Sequence, residues 1–534
     1  MKRFNTTAIC IPARHYMVDL SERVKTIKQL VDDGKYFTIN RPRQYGKTTT
    51  LSALKRVLSE EYIVLFLNFE RIDNDVFENG STFSQAMARM IIDAHEFNDV
   101  PVPEDTISAL EELNNSDPTK IKMDNLFRVL KRWIKRSEKP IVLIIDEVDS
   151  ATNSQVFLDF LAQLRDGYIS RDLDGSPAFQ SVILAGVTDV KYLKSRIRSE
   201  EDSKENSPWN IAADFTIDMS LSETGIKGML NEYEADHHTG MNTEVIAKSI
   251  RKYTNGYPFL VSRICQLIDE KMVPSVFKTL EDAWTDNGVE EAVKSIISEK
   301  NTLFDSIMGK LHNFDKLRGQ LYKILLQGDT VEYLPDDKQQ EQLIMYGFIM
   351  VENNTIAVAN RIFEMRLYKY FVGNSRFTDE LREEAIEHKT EFIRKEEIDV
   401  PLIMEHFIQS QRHIRDLDNE EAERKFIEEE GRIKFLTYLS PILNGVGTYG
   451  IEEATRNRRR MDVVIHYRGK RYIIELKIWH GDRYNEKGEQ QICDYLDYFG
   501  LDTGYLLSFS FNKNKEIGVK KVKIRNKTLY EGVL

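Results

Sequence analysis

The stretch NRPRQYGKTTT, Asn40 to Thr50, decides how this chain folds. A short apolar run, YFTIN (Tyr36 to Asn40), leads into it, and a helical pattern, TTTLSALKRVL, leads out. Strand, tight loop, Gly46-Lys47-Thr48, helix is the layout of a loop that wraps an anion. Backbone N–H groups at a helix N-terminus point at anionic oxygens, and the helix dipole adds partial positive charge there. In this layout Arg43, Gln44, Tyr45, Gly46, Lys47, Thr48 and Thr49 line a phosphate cradle. Lys47 reaches the β- and γ-phosphates, and the Thr48 hydroxyl holds Mg²⁺. The usual spacing is GxxxxGK[ST], and its first Gly falls here on Arg41. Arg41, Pro42 and Arg43 supply charge and a fixed turn instead. Taken alone, the loop also fits a basic turn that caps an ordinary helix.

A second stretch narrows the choice. PIVLIIDE, Pro140 to Glu147, is a wholly apolar run ending in two acids. Such a run predicts a strand buried on both faces, as in a parallel sheet. Ligands bind at the carboxyl ends of strands in open α/β sheets. Asp146 is therefore expected to support a Mg²⁺ shell and Glu147 to polarise an attacking water. An unpaired buried acid without such a role is costly. The two stretches together predict an ATPase or GTPase.

Further along, YIVLFLNF (Tyr62 to Phe69) and QSVILAGV (Gln180 to Val187) read as buried strands, and FTIDM (Phe215 to Met219) as a fifth. Strands alternating with helical segments give a doubly wound parallel sheet. Thr188 and Asp189 follow the Gln180 strand. Thr188 is the first choice to meet the γ-phosphate or the water, Asp189 the second, and a simple strand-ending cap the alternative. Lys194, Arg196 and Arg198 offer an arginine finger toward a neighbouring subunit, or a solvated helix face. Residues 221–299 read as a helical lid, broken at Asn255-Gly256-Tyr257-Pro258. In 300–375, FIMVE and TIAVA flank Asn353-Asn354, a hairpin signal that suggests a winged helix. Residues 376–425 read as connecting helices.

The bulk properties agree with this division. At 534 residues the chain exceeds one core, and about three domains are expected. Net charge is −12, which excludes a generally basic nucleic-acid coat but leaves local patches open. Cys10, Cys265 and Cys493 are far apart and lack metal-ligand spacing. That argues against a zinc site or disulfide framework and for a reducing cytoplasm. No apolar run approaches the roughly 20 residues of a membrane span, and MKRFNTTAIC lacks the apolar core of a secretory signal.

The other informative stretch is RRMDVVIHYRGKRYIIELKIW, Arg459 to Trp479. Two apolar strands flank a turn at Arg468-Gly469, so Tyr467 faces Lys470 and Asp462 falls opposite Glu475. Directly opposed residues share a face with Cβ atoms about 5 Å apart, and Lys477 points the same way. Like charges this close favour a cation between them, and Mg²⁺ or Mn²⁺ suits oxygen ligands. Such a site polarises a phosphodiester while Lys477 stabilises developing negative charge. An acid pair neutralised by Lys477 and nearby arginines is the structural alternative. Arg456, Arg458, Arg459 and Arg460 are suited to phosphate contact. Lys513, Lys515, Lys520, Lys521 and Lys523 suit that role or a solvated edge strand.

Asp followed by Glu-x-Lys on such a hairpin resembles the PD-(D/E)xK nuclease superfamily. That resemblance implies an acidic helix before the hairpin, for which Glu430 is the choice, and a helix after it with the Gln491 and Tyr495 pair. A final apolar strand, Tyr505 to Phe511, is expected to close this core. The family's leading Pro is Met461 here. Taken end to end, the chain resembles bacterial AAA-ATPase-like proteins with a C-terminal PD-(D/E)xK nuclease-like domain. RPRQYGKTT, IIDEVD, SPWNIAADF, NGYPFL and IIELKIWHG carry the likeness. The ATPase half is similar to signal-transducing P-loop ATPases.

These readings divide the chain into an ATPase core at 1–220, a lid at 221–299, a winged-helix-like unit at 300–375, connecting helices at 376–425 and a nuclease-like domain at 426–534. The resemblance implies ATP with Mg²⁺, Mn²⁺ at the second site, DNA as partner, no membrane and a homo-oligomer as one option. An ATP-dependent switch with an inactive nuclease fold and a motor feeding a nuclease are the rival readings.

Overall fold

A computed structural model describes residues 2–534 except 153, 189, 191–207, 314, 323, 326–330, 374–378, 395–396, 416–427, 445, 451–462, 479–481 and 511–515. The chain divides into two compact units. Unit 1 holds residues 1–238, 256–266 and 341–347, and unit 2 holds 239–255, 267–340 and 348–534.

Unit 1 is built on four parallel strands: β1 (Phe37–Asn40), β2 (Ile63–Asn68), β3 (Ile141–Asp146) and β4 (Ser181–Gly186), in the order β1-β4-β3-β2. All six residues of β3 and of β4 are buried, as their unbroken apolar runs require in a sheet covered on both sides. On one face, Phe37, Ile39, Val64, Val142 and Ile183 meet Val24, Ile27 and Val31 of α1 (Ser21–Asp32) and Leu51, Leu54 and Leu58 of α2 (Lys47–Leu58). On the other, Leu65, Leu143, Ile145 and Leu184 meet α3 (Gly80–Asn98), α4 (Met123–Arg136) and α5 (Gln155–Asp174) through Met87, Trp133, Phe157 and Phe160. Each large side chain so buried contributes about 1.5–3 kcal/mol.

The fifth strand expected at Phe215 to Met219 does not form. The segment pairs with β1 only through one parallel bridge, Phe37 with Ala213. The Arg41 guanidinium explains the stop. It donates to the Phe215 and Ile217 carbonyls at 3.3 and 2.8 Å and lies over the Phe215 ring. Those acceptors are thereby turned away from a strand ladder. Arg41 thus ties the start of the loop to this segment.

Unit 2 contains a hairpin, β5 (Ile349–Glu352) and β6 (Thr355–Val358). Asn353 and Asn354 both take positive φ, 50° and 62°, the conformation of a two-residue primed turn. It also contains a mixed sheet of six strands. These are β7 (Thr448–Gly450), β8 (Val463–Tyr467), β9 (Lys470–Ile478), β10 (Thr503–Phe509), β11 (Gly518–Ile524) and β12 (Lys527–Val533), in the order β11-β12-β10-β9-β8-β7. The expected final strand is therefore internal. It ends at Phe509, and β12 pairs parallel beside it with β11 at the edge. The strand after Phe509 was hard to read because β11 is mostly polar and half-exposed, as edge strands commonly are. Among the described residues no helix is long and apolar enough to cross a membrane.

Candidate functional site

Both decisive stretches end at the same edge of the unit 1 sheet. The loop after β1 runs through Gln44, φ 56°, and Gly46, φ 80°. Gly46 caps α2 in the left-handed region, where a Cβ is strained. The free N-terminal amides of α2 therefore open toward the loop. Lys47 is buried, and its ammonium donates to the Arg41 and Pro42 carbonyls at 2.9 and 3.0 Å. Burial pushes its pKa down, while Glu147, Asp149 and Asp146 pull it back up.

Thr48 and Asp146, 98 residues apart, meet directly. The Thr48 hydroxyl donates to Asp146 Oδ2 at 2.8 Å. Asp146 is 1% exposed, and burial holds its pKa above the usual carboxylate range despite that hydrogen bond. Glu147 follows in a left-handed conformation, φ 56° and ψ 44°, which costs a non-glycine residue about 1 kcal/mol or more. Burial raises its pKa too, with Asp146, Asp149 and Glu70 adding to the effect against Lys47. A hydroxyl, an ammonium and two acids, gathered at a helix N-terminus, fit a Mg²⁺-nucleotide phosphate group.

Asp149 was not singled out by the sequence reading, yet it joins two parts of this site. Its carboxylate accepts from the Val187 amide at 2.7 Å and from the Thr188 amide at 2.8 Å. It thereby ties the turn after β4 to the turn after β3. A Cβ at Gly186 would lie 2.9 Å from Val148 and 3.1 Å from Asp149, so the glycine admits this contact. The spacing IIDEVD held the signal, since Asp149 stands three residues beyond Asp146. Thr188 is thus placed next to the acids through its backbone.

The NGYP turn also backs the loop. The Tyr257 hydroxyl donates to the Arg43 carbonyl, and the Tyr257 and Tyr45 rings meet edge-on at 4.8 Å. A Cβ at Gly347 would lie 2.7 Å from Pro42. Sequence reading saw a helix break and a piece of the family likeness there, and not this brace. Thr49 turns aside and accepts from the Cys10 amide.

In unit 2 the hairpin register runs from Tyr467 opposite Lys470 to Val463 opposite Ile474. Arg468 and Gly469 occupy the turn with φ 47° and 74°. Glu475 is fully buried, and Lys477 Nζ lies 2.9 Å from its Oε1. Gln491 donates to the Tyr495 hydroxyl at 2.9 Å on the helix Asp482–Phe499. Glu430 lies in the helix Glu428–Leu443, and its side chain is outside the described residues. So are Asp462, Asp189, Lys194, Arg196, Arg198, Arg456, Arg458, Arg459, Arg460, Lys513 and Lys515. Lys520, Lys521 and Lys523 sit on the edge strand β11, with Lys520 paired to Glu531 at 3.1 Å.

A search of curated proteins finds no match. Among solved structures, the Walker-type ATPase of Pyrococcus abyssi is 14% identical and covers 68% of this chain and 99% of its own, with a TM-score of 0.45. Cdc6p from Pyrobaculum aerophilum is 13% identical, covering 70% and 98%, with a TM-score of 0.33. The Thermotoga maritima RuvB Holliday junction branch migration motor is also 13% identical, covering 64% and 92%, with a TM-score of 0.31. The AAA-like domain family matches residues 7–372, which include every unit 1 residue of the site. With its P-loop, its parallel sheet and that match, the chain belongs to the AAA-like domain family.

Proposed function

We propose that unit 1 binds and hydrolyses ATP with Mg²⁺, and that nucleotide state controls a metal-dependent DNA-cleaving site in unit 2. The Thr48–Asp146 contact at the mouth of the loop carries the first half. Lys47 neutralises the β- and γ-phosphates, Thr48 and Asp146 support Mg²⁺, and Glu147 accepts the proton of the attacking water. Bound Mg²⁺ supplies charge neutralisation on the phosphates. In this reading Thr188, whose amide is held by Asp149, meets the γ-phosphate or the attacking water.

The second half rests on Glu475 and Lys477 sharing one strand face in a hairpin of defined register. In this reading Asp462, Glu475 and Glu430 bind Mg²⁺ or Mn²⁺, and Lys477 stabilises the cleaved phosphate. One observation favours the rival, a regulatory switch with an inactive nuclease fold. Glu475 is fully buried and already paired with Lys477, as a structural ion pair would be.

The test incubates purified protein with circular and linear DNA and RNA, Mg²⁺ or Mn²⁺, with and without ATP, beside Lys47→Ala and Asp462→Ala. Metal-dependent cutting lost in Asp462→Ala with ATP turnover intact supports the nuclease. No cutting under any condition, with turnover present, selects the switch. Absence of wild-type ATP turnover overturns the first half. A motor would instead show turnover that rises with DNA length.

A further inference from the structure

Away from both acidic clusters, unit 2 brings two imidazoles and a carboxylate to one point. His388 precedes the short helix Lys389–Phe392, Glu391 follows one turn later, and His406 projects from the helix Val400–Arg415. One ligand atom of each lies within 4.8 Å of the other two. His388 Nδ1 and Glu391 Oε1 are 2.9 Å apart, and the two imidazole centroids are separated by 4.5 Å. We propose that His388, Glu391 and His406 form a binding site for a divalent ion of the zinc class.

A plain ion pair would need only His388 and Glu391. The third group has no such reason to be there: among the described residues the His406 ring makes no hydrogen bond. It is held against His388 by the edge-on ring of Phe392, at 5.1 Å. The surroundings favour a cation, because the carboxylates of Glu384, Glu387 and Glu391 all act on His388. The Tyr438 hydroxyl, fully buried, has no hydrogen-bond partner among the described residues and lies in the field of Glu384 and Glu391. It is available to a water on the ion.

The distances are compatible with a metal. Bonds of about 2.0–2.2 Å to N and O ligands place tetrahedral ligand atoms about 3.4 Å apart. The 4.8 Å spread closes to that by side-chain rotation, and Glu391, at 53% side-chain exposure, is free to rotate. Two imidazoles favour Zn²⁺, Co²⁺ or Ni²⁺ over Mg²⁺ and Ca²⁺, which separates this site from the Mg²⁺ and Mn²⁺ sites above. Three protein ligands leave a fourth position for water. A bound ion would also pin the turn at His388 to the helix that carries His406.

The test strips the full chain of metal and titrates it with Co²⁺, in a Thr48→Ala/Glu475→Gln background that removes a ligand from each proposed Mg²⁺ site. One equivalent giving the visible absorption of tetrahedral Co²⁺ is expected. His406→Ala and Glu391→Gln are expected to weaken it at least about tenfold. Zn²⁺ should raise the melting midpoint of the parent more than that of Glu391→Gln. Glu391 is exposed, so its substitution tests the site even where His406→Ala fails to fold. Absence of the Co²⁺ band in the parent, or binding by Glu391→Gln equal to the parent's, overturns the proposal.

Discussion

Replacing Asp149 by alanine removes both anchors of the turn after β4. The two amides involved, Val187 at 2.7 Å and Thr188 at 2.8 Å, donate to an ionised acceptor. Hydrogen bonds to charged groups contribute about 1.5–3 kcal/mol each, so the pair sets an upper range of about 3–6 kcal/mol. Asp149 and both amides are half-buried, and water will replace part of what is lost. The lower end, about 3 kcal/mol, is therefore expected. For a unit of this size that lowers the melting midpoint by about 2–4 °C per kcal/mol.

The same anchors hold the Thr188 backbone against Asp149, while the phosphate loop itself is untouched. Turnover should therefore fall by about ten- to a hundredfold, the latter corresponding to nearly 3 kcal/mol of lost transition-state stabilisation. Nucleotide affinity should stay within about threefold, because Lys47 and Thr48 keep their contacts. Asp149→Asn should fall between, since one carboxamide oxygen accepts from an amide while its NH₂ opposes the other. Steady-state ATP turnover, fluorescent-nucleotide titration and calorimetry measure the three quantities. Turnover within threefold of wild type, in a variant whose melting midpoint has dropped, would refute the reasoning: Asp149 would then hold the fold and nothing more.

Lys47→Ala should weaken ATP binding at least about a hundredfold by calorimetric titration, because a buried ammonium among phosphates has no replacement. Glu147→Gln should keep that affinity and lose about 10²- to 10⁴-fold in turnover, the range for one general base. Asp146→Asn bears on pH. Burial raises the folded pKa of Asp146, so its favourable contribution is complete below the unfolded value of about 3.9 and is lost as pH rises through the folded pKa. Without metal or nucleotide, Asp146→Asn should accordingly be more stable than wild type at pH 7, with the gap closing on acidification in urea titrations. Tyr257→Phe removes the hydrogen bond to the Arg43 carbonyl and should cost about 1 kcal/mol, read as a lower melting midpoint that bound ATP partly restores.

Which parts were legible follows from how local their physics is. The loop, its lead-in strand and α2 are contiguous, so Gly46 and the apolar spacing of Leu51, Leu54 and Leu58 reveal them directly. The hairpin register was equally readable, because Arg468 and Gly469 form a two-residue turn whose pairing propagates outward from Tyr467 and Lys470. The fifth strand was misread because Phe215 to Met219 has the right side chains. What stops it is Arg41, which takes two of its carbonyls from 174 and 176 positions away.

By itself the amino-acid sequence determined which groups are suited to phosphate chemistry and which faces are apolar, since both depend on neighbours a few residues apart. Tertiary structure alone decided that Thr48 touches Asp146, that Asp149 anchors Thr188, that Tyr257 braces the loop, and that His388 and His406 meet. Each of these is a meeting of groups separated along the chain, and chain connectivity imposes no distance on such pairs until the strands and helices between them have packed.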